Sequence, residues 1–392
     1  MQYNHSLFCQ ILKLIPRTEF ERLVREQAAE KHSKGFSCWE QLVAMVFAQL
    51  AGAVSLREIE SGMKSACGKL NHLGVPQAPP RSTLAYANSH RPAALFEQLF
   101  YVMVAQCERF APGKKARFRF KSKLFSLDAS VIELCLGLFP WAKFRQTKGA
   151  VKLHTLLDHD GYFPCFLRIT TGKEHEVRTA RLLKLPPESI VAMDRGYNDY
   201  ALFDDWTRQR IWFVTRAKEN MVYDVVEARA VPARGNVRAD EVIRLSSPRG
   251  VAACPGLLRR VVVWDEKKQE EIALLTNNLE LGATTIGAIY KDRWQIELFF
   301  KAIKQNLKIK TFLGTSQNAL HLQLWTAMLA ILLIKFLQWQ SRAGLSLSNL
   351  IALLRWNLFT YRPLFGWLDD PYATPPTPTD AGPWQPELAL GV

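Results

Sequence analysis

Two short apolar runs, each ending on an aspartate, limit what this chain can fold into more than any other feature. Leu124-Phe125-Ser126-Leu127 leads into Asp128, and Ser189-Ile190-Val191-Ala192-Met193 leads into Asp194. Both read as short strands, and the segments around them fill out an α/β arrangement. Val151–Asp158 and Phe163–Thr170 frame the turn Asp158-His159-Asp160-Gly161, where Asp-Gly is a strong hairpin signal, so Asp158 and Asp160 read as turn residues rather than ligands. Val177–Leu185 and Asn198–Gln209 read as helices, and Ile211–Thr215 as a buried strand. Val242–Leu245, Leu258–Trp264 and Glu271–Thr276 alternate or run apolar between Gly, Pro, Asn and Ser, which predicts a β-rich insertion over about 216–288.

A helix follows the insertion. Residues 290–304 contain no Gly or Pro, and Ile289, Ile296, Phe299, Phe300, Ile303 and Leu307 recur at helical spacing. At about 100° per residue these form a core-facing stripe, beside which Tyr290, Arg293, Glu297 and Lys304 share an arc of about 60°. One flank of an uninterrupted helix is thus expected to carry a phenol, a guanidinium, a carboxylate and an ammonium. A surface helix with the pairs Arg293–Glu297 and Glu297–Lys301 would look the same in isolation. Further on, Ala319–Ile334 is apolar but includes His321, Gln323 and Thr326 and is short for a membrane span, so it reads as a buried helix. Residues 371–392 are Pro-rich and are expected to form a disordered tail.

Residues 1–110 read as helical. Trp39, Leu42, Val43, Val46, Phe47 and Leu50 mark a helix ending near Gly52, and Ser55-Leu56-Arg57-Glu58 has the form of a capping box opening the next. A helix, a short turn and a second helix suit a DNA-binding domain, as they suit any small bundle. After Pro76–Pro80, Ser82 or Thr83 is expected to cap a short helix presenting Arg81, Tyr86 and Asn88 to DNA.

Charge narrows the partners. The chain of 392 residues has 51 Lys and Arg against 36 Asp and Glu, a net +15, and such an excess implies a polyanion, nucleic acid or an anionic membrane. Lys114, Lys115 and Arg117 lead a run over 111–123 that lacks acids and reads as a basic linker or a phosphate-contacting strip. Lys148 and Lys152 belong to a second such cluster, over 141–154. Seven scattered cysteines without a C-x-x-C argue against structural zinc and suit a reducing cytoplasm. Met1–Phe20 has no long apolar core, so no signal peptide is expected.

Asp128, Asp194 and Glu297 are far apart in sequence, but a mixed sheet with flanking helices would bring them to one edge. Three carboxylates meeting there would repel one another unless neutralised, and two divalent ions would satisfy them. Oxygen ligands without Cys or His favour Mg²⁺ or Mn²⁺, and such a pair suits in-line phosphoryl displacement.

The helix signature Y-x2-R-x3-E-x6-K at Tyr290, Arg293, Glu297 and Lys304 is specific. With Ser126-Leu127-Asp128 and Met193-Asp194-Arg195-Gly196-Tyr197, the chain resembles the bacterial DDE transposases of the insertion sequence four family. The resemblance implies a ribonuclease H-like catalytic core over 124–370, with the β-rich insertion inside it and a helical end-binding domain before it. It implies that Asp128, Asp194 and Glu297 are catalytic and hold two Mg²⁺ or Mn²⁺ ions. Tyr290, Arg293 and Lys304 would then grip phosphates of the transposon end, with Lys301 beside them, and Trp294 would stack on a nucleotide or simply pack. The implied activity is metal-dependent cleavage at transposon ends and strand transfer into target DNA, by a homodimer on paired ends in the bacterial cytoplasm, at the nucleoid. A metal-dependent nuclease of the same fold, or a non-catalytic DNA-binding repressor, is the alternative; carboxylates facing phosphate are a liability without metal, which argues against the repressor.

Overall fold

The computed structural model describes residues 5–31, 33, 35–110, 118, 120, 122–143, 149–307, 309 and 311–373. Lys114, Lys115, Arg117, Lys148 and residues 374–392 of the Pro-rich tail lie outside the described residues. Among those described, the strands are β1 (Leu124–Leu134), β2 (Gly149–Asp158), β3 (Phe163–Thr171), β4 (Ile190–Met193), β5 (Trp212–Arg216), β6 (Tyr223–Ala228), β7 (Val237–Leu245), β8 (Leu258–Asp265) and β9 (Glu270–Thr276). They form one mixed sheet in the order β3-β2-β1-β4-β5-β9-β8-β7-β6. β4 runs parallel to both β1 and β5, and all other neighbours are antiparallel. The Asp-Gly turn closes the β2–β3 hairpin, with the Asp160 N–H donating to Asp158 Oδ1 at 2.8 Å.

After β5, β6 to β9 continue the same sheet instead of building a second one, because β9 returns to pair with β5. The sequence reading did not anticipate β6. It is the edge strand, its Val225 and Val226 are 51% and 53% exposed, and acids flank them, so neither face is apolar enough to betray a strand.

Helices α1 (Leu7–Leu12), α2 (Arg17–Glu26), α3 (Cys38–Ala51), α4 (Leu56–Lys64), α5 (Arg81–His90) and α6 (Ala94–Phe110) precede the sheet. Within and after it come α7 (Glu176–Ala180), α8 (Tyr200–Arg208), α9 (Pro248–Ala253), α10 (Ala283–Asp292), α11 (Trp294–Asn306), α12 (Gln317–Gln340), α13 (Leu347–Asn357) and α14 (Leu364–Asp369). A reciprocal capping box opens α3: Ser37 Oγ accepts from Glu40 N, and Glu40 Oε2 accepts from Ser37 N. Ser55 caps α4 as expected, but the Glu58 carboxylate turns to the N–H of Val54 rather than that of Ser55.

The long α12 is the spine of the helical layer and packs against α3, α5 and α6. Residues of α1 to α6 and α11 to α14 join one face of β1 to β3 in a single apolar cluster, so the two ends of the chain share a core. By length and composition α12 could cross a membrane, yet 83% of its apolar stretch is buried by the protein itself. The expectation of a buried helix is met.

Alternation along the central strands decides which helices meet which residues. Phe125 and Leu127 of β1 and Val191 and Met193 of β4 point to α7 and α8. Leu124, Ile190 and Ala192 point to α10, and Ile132 and Leu134 to the cluster holding α11. Ser126, Asp128 and Asp194 share the even parity, so the sheet delivers them to the face that α10 and α11 cover. The loop entering α10 is held by a buried bidentate pair, Arg259 to Asp240 at 2.7 Å for both bonds, with Arg259 Nη1 donating to Leu281 O.

The expected uninterrupted helix over 290–304 is two helices. α10 ends at Asp292 and α11 begins at Trp294, and at Arg293 the ladder shifts: its N–H is shared between Ile289 O and Tyr290 O, and Ile296 N reaches Arg293 O. Arg293 keeps helical dihedrals, φ −50° and ψ −29°, so no Gly or Pro was needed to make the break and composition could not reveal it. The apolar stripe is unaffected, and Ile289, Ile296, Phe299, Phe300, Ile303 and Leu307 are all buried.

Candidate active site

Parallel pairing brings the two aspartates together. Leu127 lies opposite Met193 across β1 and β4, so Asp128 and Asp194, one step further along, lie side by side on one face. β4 ends there, whereas β1, expected to end on Asp128, continues to Leu134 with Asp128 paired to Thr155 of β2. Asp194 accepts from Arg195 N at 2.7 Å and starts the short turn that follows. A Cβ at Gly196 would meet the Glu176 carboxylate, the movable end of a flexible side chain.

Glu297 arrives from α11, and Arg293 joins it to Asp128. Arg293 Nη1 lies 3.1 Å from Asp128 Oδ2, and Nη2 lies 2.7 Å from Glu297 Oε1. The guanidinium, 12% exposed, also lies over the Tyr290 ring with Cζ 5.6 Å from its centroid. Arg293 was expected to face a phosphate; here its Nη atoms are committed to the carboxylates instead, and its buried Nε has no hydrogen-bond partner among the described residues. Tyr290 is partly buried beneath it, and burial pushes its phenol pKa up.

Asp128 and Glu297 line a cleft of about 430 Å³, together with Ala129 and Ser130 of β1 and Phe300, Lys301, Lys304 and Gln305. Lys304, from the predicted flank, and Lys301 therefore share a cavity with two of the carboxylates. Trp294 is outside that lining and 56% exposed.

The structure allows a test of whether these residues suit a metal. The donors are hard oxygens, and three carboxylates outnumber the one guanidinium bonded to them, with Lys301 and Lys304 beside them in the cleft. That excess is felt at Asp128: burial raises its pKa to about 6, Asp194 and Glu297 add to the rise, and Arg293 and the Ala129 N–H oppose it. A divalent cation fits both the donor chemistry and the charge. The carboxylates are not gathered into a cage, since among the described residues no group of three His, Cys, Asp or Glu side chains is close enough to hold an ion. Arg293 stands between two of them.

One prediction follows from this electrostatics. Asp128 has a folded pKa near 6 against about 3.9 unfolded. The raised value means the fold penalises the ionised form, so its removal stabilises above pH 6, and the advantage disappears as pH falls from 6 towards 4. Asp128→Asn should raise stability at pH 7.5, by on the order of 1–3 kcal/mol, and by little at pH 4. Urea denaturation at the two pH values measures both.

The residues expected at the DNA-binding surface divide. α5 begins at Arg81 with Pro80 in the capping position, so neither Ser82 nor Thr83 caps it. Arg81 is exposed and Tyr86 is 67% exposed, stacked on His90 with ring centroids 4.0 Å apart. Asn88, by contrast, is buried and accepts from Gln41 Nε2 at 2.8 Å, so it cannot be presented to DNA. Lys152 is 15% exposed and holds Glu174 O and Glu176 Oε1, a tie between β2 and α7 rather than a contact offered to solvent.

Comparison with known proteins puts this site in context. Residues 119–333 match the transposase DDE domain family, and residues 3–76 match a domain of unknown function, DUF4372. The chain is 35% identical over 264 residues to a Sinorhizobium fredii protein named transposase y4zB, covering 66% of this chain and 72% of the relative. It is 26% identical to a Geobacillus stearothermophilus transposase named for the element IS5377, covering 68% and 70%. A Synechocystis transposase named for IS4SA is 24% identical over 76% of this chain and 83% of its own. Since the domain match spans more than half of the sequence and the first of these relatives is aligned over most of its length, the chain belongs to the transposase DDE domain family, as a DNA transposase of a bacterial insertion sequence.

Proposed function

We propose that this transposase works by cut-and-paste, with Asp128, Asp194 and Glu297 as its catalytic carboxylates in a ribonuclease H-like core. The observation that carries the reading is the delivery of all three to one face: two by parallel register, the third by a helix that Arg293 ties to the first. The strand order β3-β2-β1-β4-β5, with β2 antiparallel to its neighbours, supports the core assignment.

The three carboxylates would hold two divalent ions, Mg²⁺ or Mn²⁺, which when bound activate an attacking oxygen and stabilise the leaving one. Lys301 and Lys304 line the cleft beside Asp128 and Glu297 and would hold phosphates of the DNA backbone there. Arg293 and Tyr290 orient the carboxylates from behind. Exposed Trp294 would stack on a nucleotide at the cleft mouth. Arg81 and Tyr86 on α5 would contact the element ends, with the rest of residues 1–110 as their support. The protein would act as a homodimer on paired ends, in the bacterial cytoplasm at the nucleoid.

The test is incubation of the purified protein with DNA carrying both element ends and an unrelated circular target. In Mg²⁺, nicks leaving a 3′-OH at the ends and joined target products are expected. Cutting without joining would favour a nuclease, and no cutting in Mg²⁺ or Mn²⁺ would overturn the catalytic reading.

A further inference from the structure

Two residues before Asp128, on the same face of β1, Ser126 opens a second polar connection to the helix break. Its Oγ lies 2.7 Å from Nε2 of His159 at the tip of the β2–β3 hairpin, and Nδ1 of that ring lies 2.8 Å from Oδ2 of Asp292. Asp292 is the last residue of α10, immediately before Arg293. All three are enclosed: Ser126 is 0% exposed, and the His159 and Asp292 side chains are 7% and 1% exposed. The hairpin tip is also fixed by its main chain, with His159 N donating to Leu124 O at 3.0 Å. Tyr162 reaches the same Asp292 oxygen at 3.4 Å, from a backbone at φ +57° that residues other than glycine seldom adopt.

The connectivity Ser–His–Asp is that of a nucleophilic triad. Nucleophilic work is ruled out by burial, because a fully enclosed Ser126 meets no substrate. What the arrangement can do is mechanical. The adjacent residues Asp292 and Arg293 reach β1 at two points on one face, Ser126 through His159 and Asp128 directly. A helix break with no Gly or Pro in it has no covalent reason to hold one angle. Two buried polar links to a central strand supply that reason.

We infer that Ser126, His159 and Asp292 form a positioning relay that sets the angle between α10 and α11, and with it the placement of Glu297 and Arg293 against Asp128. The inference rests on the catalytic reading above. Losing a relay that only stabilised the fold would lower global stability and leave the local geometry of bound enzyme unaltered. A positioning relay acts on the chemical step, where a shift near 1 Å can cost about a hundredfold in rate.

The experiment uses the full chain with three variants: Ser126→Ala, Asp292→Asn and His159→Gln, the last keeping a partner for Ser126 while losing the link to Asp292. Single-turnover cleavage of pre-bound end DNA should slow about tenfold to a hundredfold in each, with the Kd for ends unchanged. The Ser126→Ala/Asp292→Asn double variant should be no slower than the worse single, since one breaks and the other weakens links in the same chain of bonds. In protein without added metal, hydrogen–deuterium exchange should quicken in peptides spanning 289–298 and stay unchanged in α12. Normal cleavage with unchanged local exchange would overturn the relay. So would losses that multiply in the double variant alongside faster exchange throughout. If Asp292→Asn fails to fold, His159→Gln carries the same test. Failure of the catalytic reading is a separate result: Asp128→Asn would still cut, whatever the relay variants do.

Discussion

Glu297→Gln and Asp194→Asn should each abolish Mg²⁺-dependent cleavage of end DNA, a loss on the order of a thousandfold or more. Both substitutions keep size and shape while removing a negative charge. Asp194 sits just beyond β4 in extended backbone, and Glu297 is on the half-buried flank of α11. Neither is part of the apolar core, so melting temperature and affinity for the ends should stay close to those of the unsubstituted protein. Gel-shift titration beside a cleavage assay separates the two properties. If the double variant still cuts, the three carboxylates are not the catalytic set.

Arg293→Ala should be nearly as damaging to rate, by about a hundredfold to a thousandfold, and should tighten Mn²⁺ binding. The second half is where the structure changes the expectation. A guanidinium holding phosphate would leave metal affinity untouched. A guanidinium 3.1 Å from Asp128 and 2.7 Å from Glu297 competes for the carboxylate charge. One unit charge at about 4 Å is worth about 4 kcal/mol at an effective dielectric of 20, an upper figure for a cleft open to water. Even a third of that is a tenfold gain in affinity. Mn²⁺ titration followed by electron paramagnetic resonance reads it. Unchanged affinity would return Arg293 to the phosphate role, and near-normal cleavage would leave it an ordinary helix pair.

Much of the site is legible in the sequence because its signals are local. An apolar run leading to an Asp is visible in five residues, and parity along it is a property of extended backbone, although β1 runs on past Asp128 to Leu134. The apolar stripe of residues 289–307 needed only a period. The break at Arg293 escaped because its cause lies elsewhere in the chain, in bonds to Asp128 and through His159 to Ser126. His159 looked like a turn residue and is one, and nothing near it in sequence announces a partner 133 residues away. Asn88 was misjudged for a similar reason: its amide is claimed by Gln41, which local composition cannot show. β6 was hidden by exposure, since an edge strand needs no apolar face.

The shared core of the first and last helices has a consequence for how the protein is made. α3 is buried along nearly all its length, and the helix that covers it, α12, is encoded nearly three hundred residues later. At about 5–20 residues per second of synthesis, the amino-terminal helices would wait on the order of 15–60 s for their cover. Until then their apolar sides face solvent or a chaperone. A message cut short before residue 317 would yield a nascent chain that buries neither end. Partial copies of the gene should therefore produce chains that are degraded, rather than a truncated competitor able to occupy the DNA.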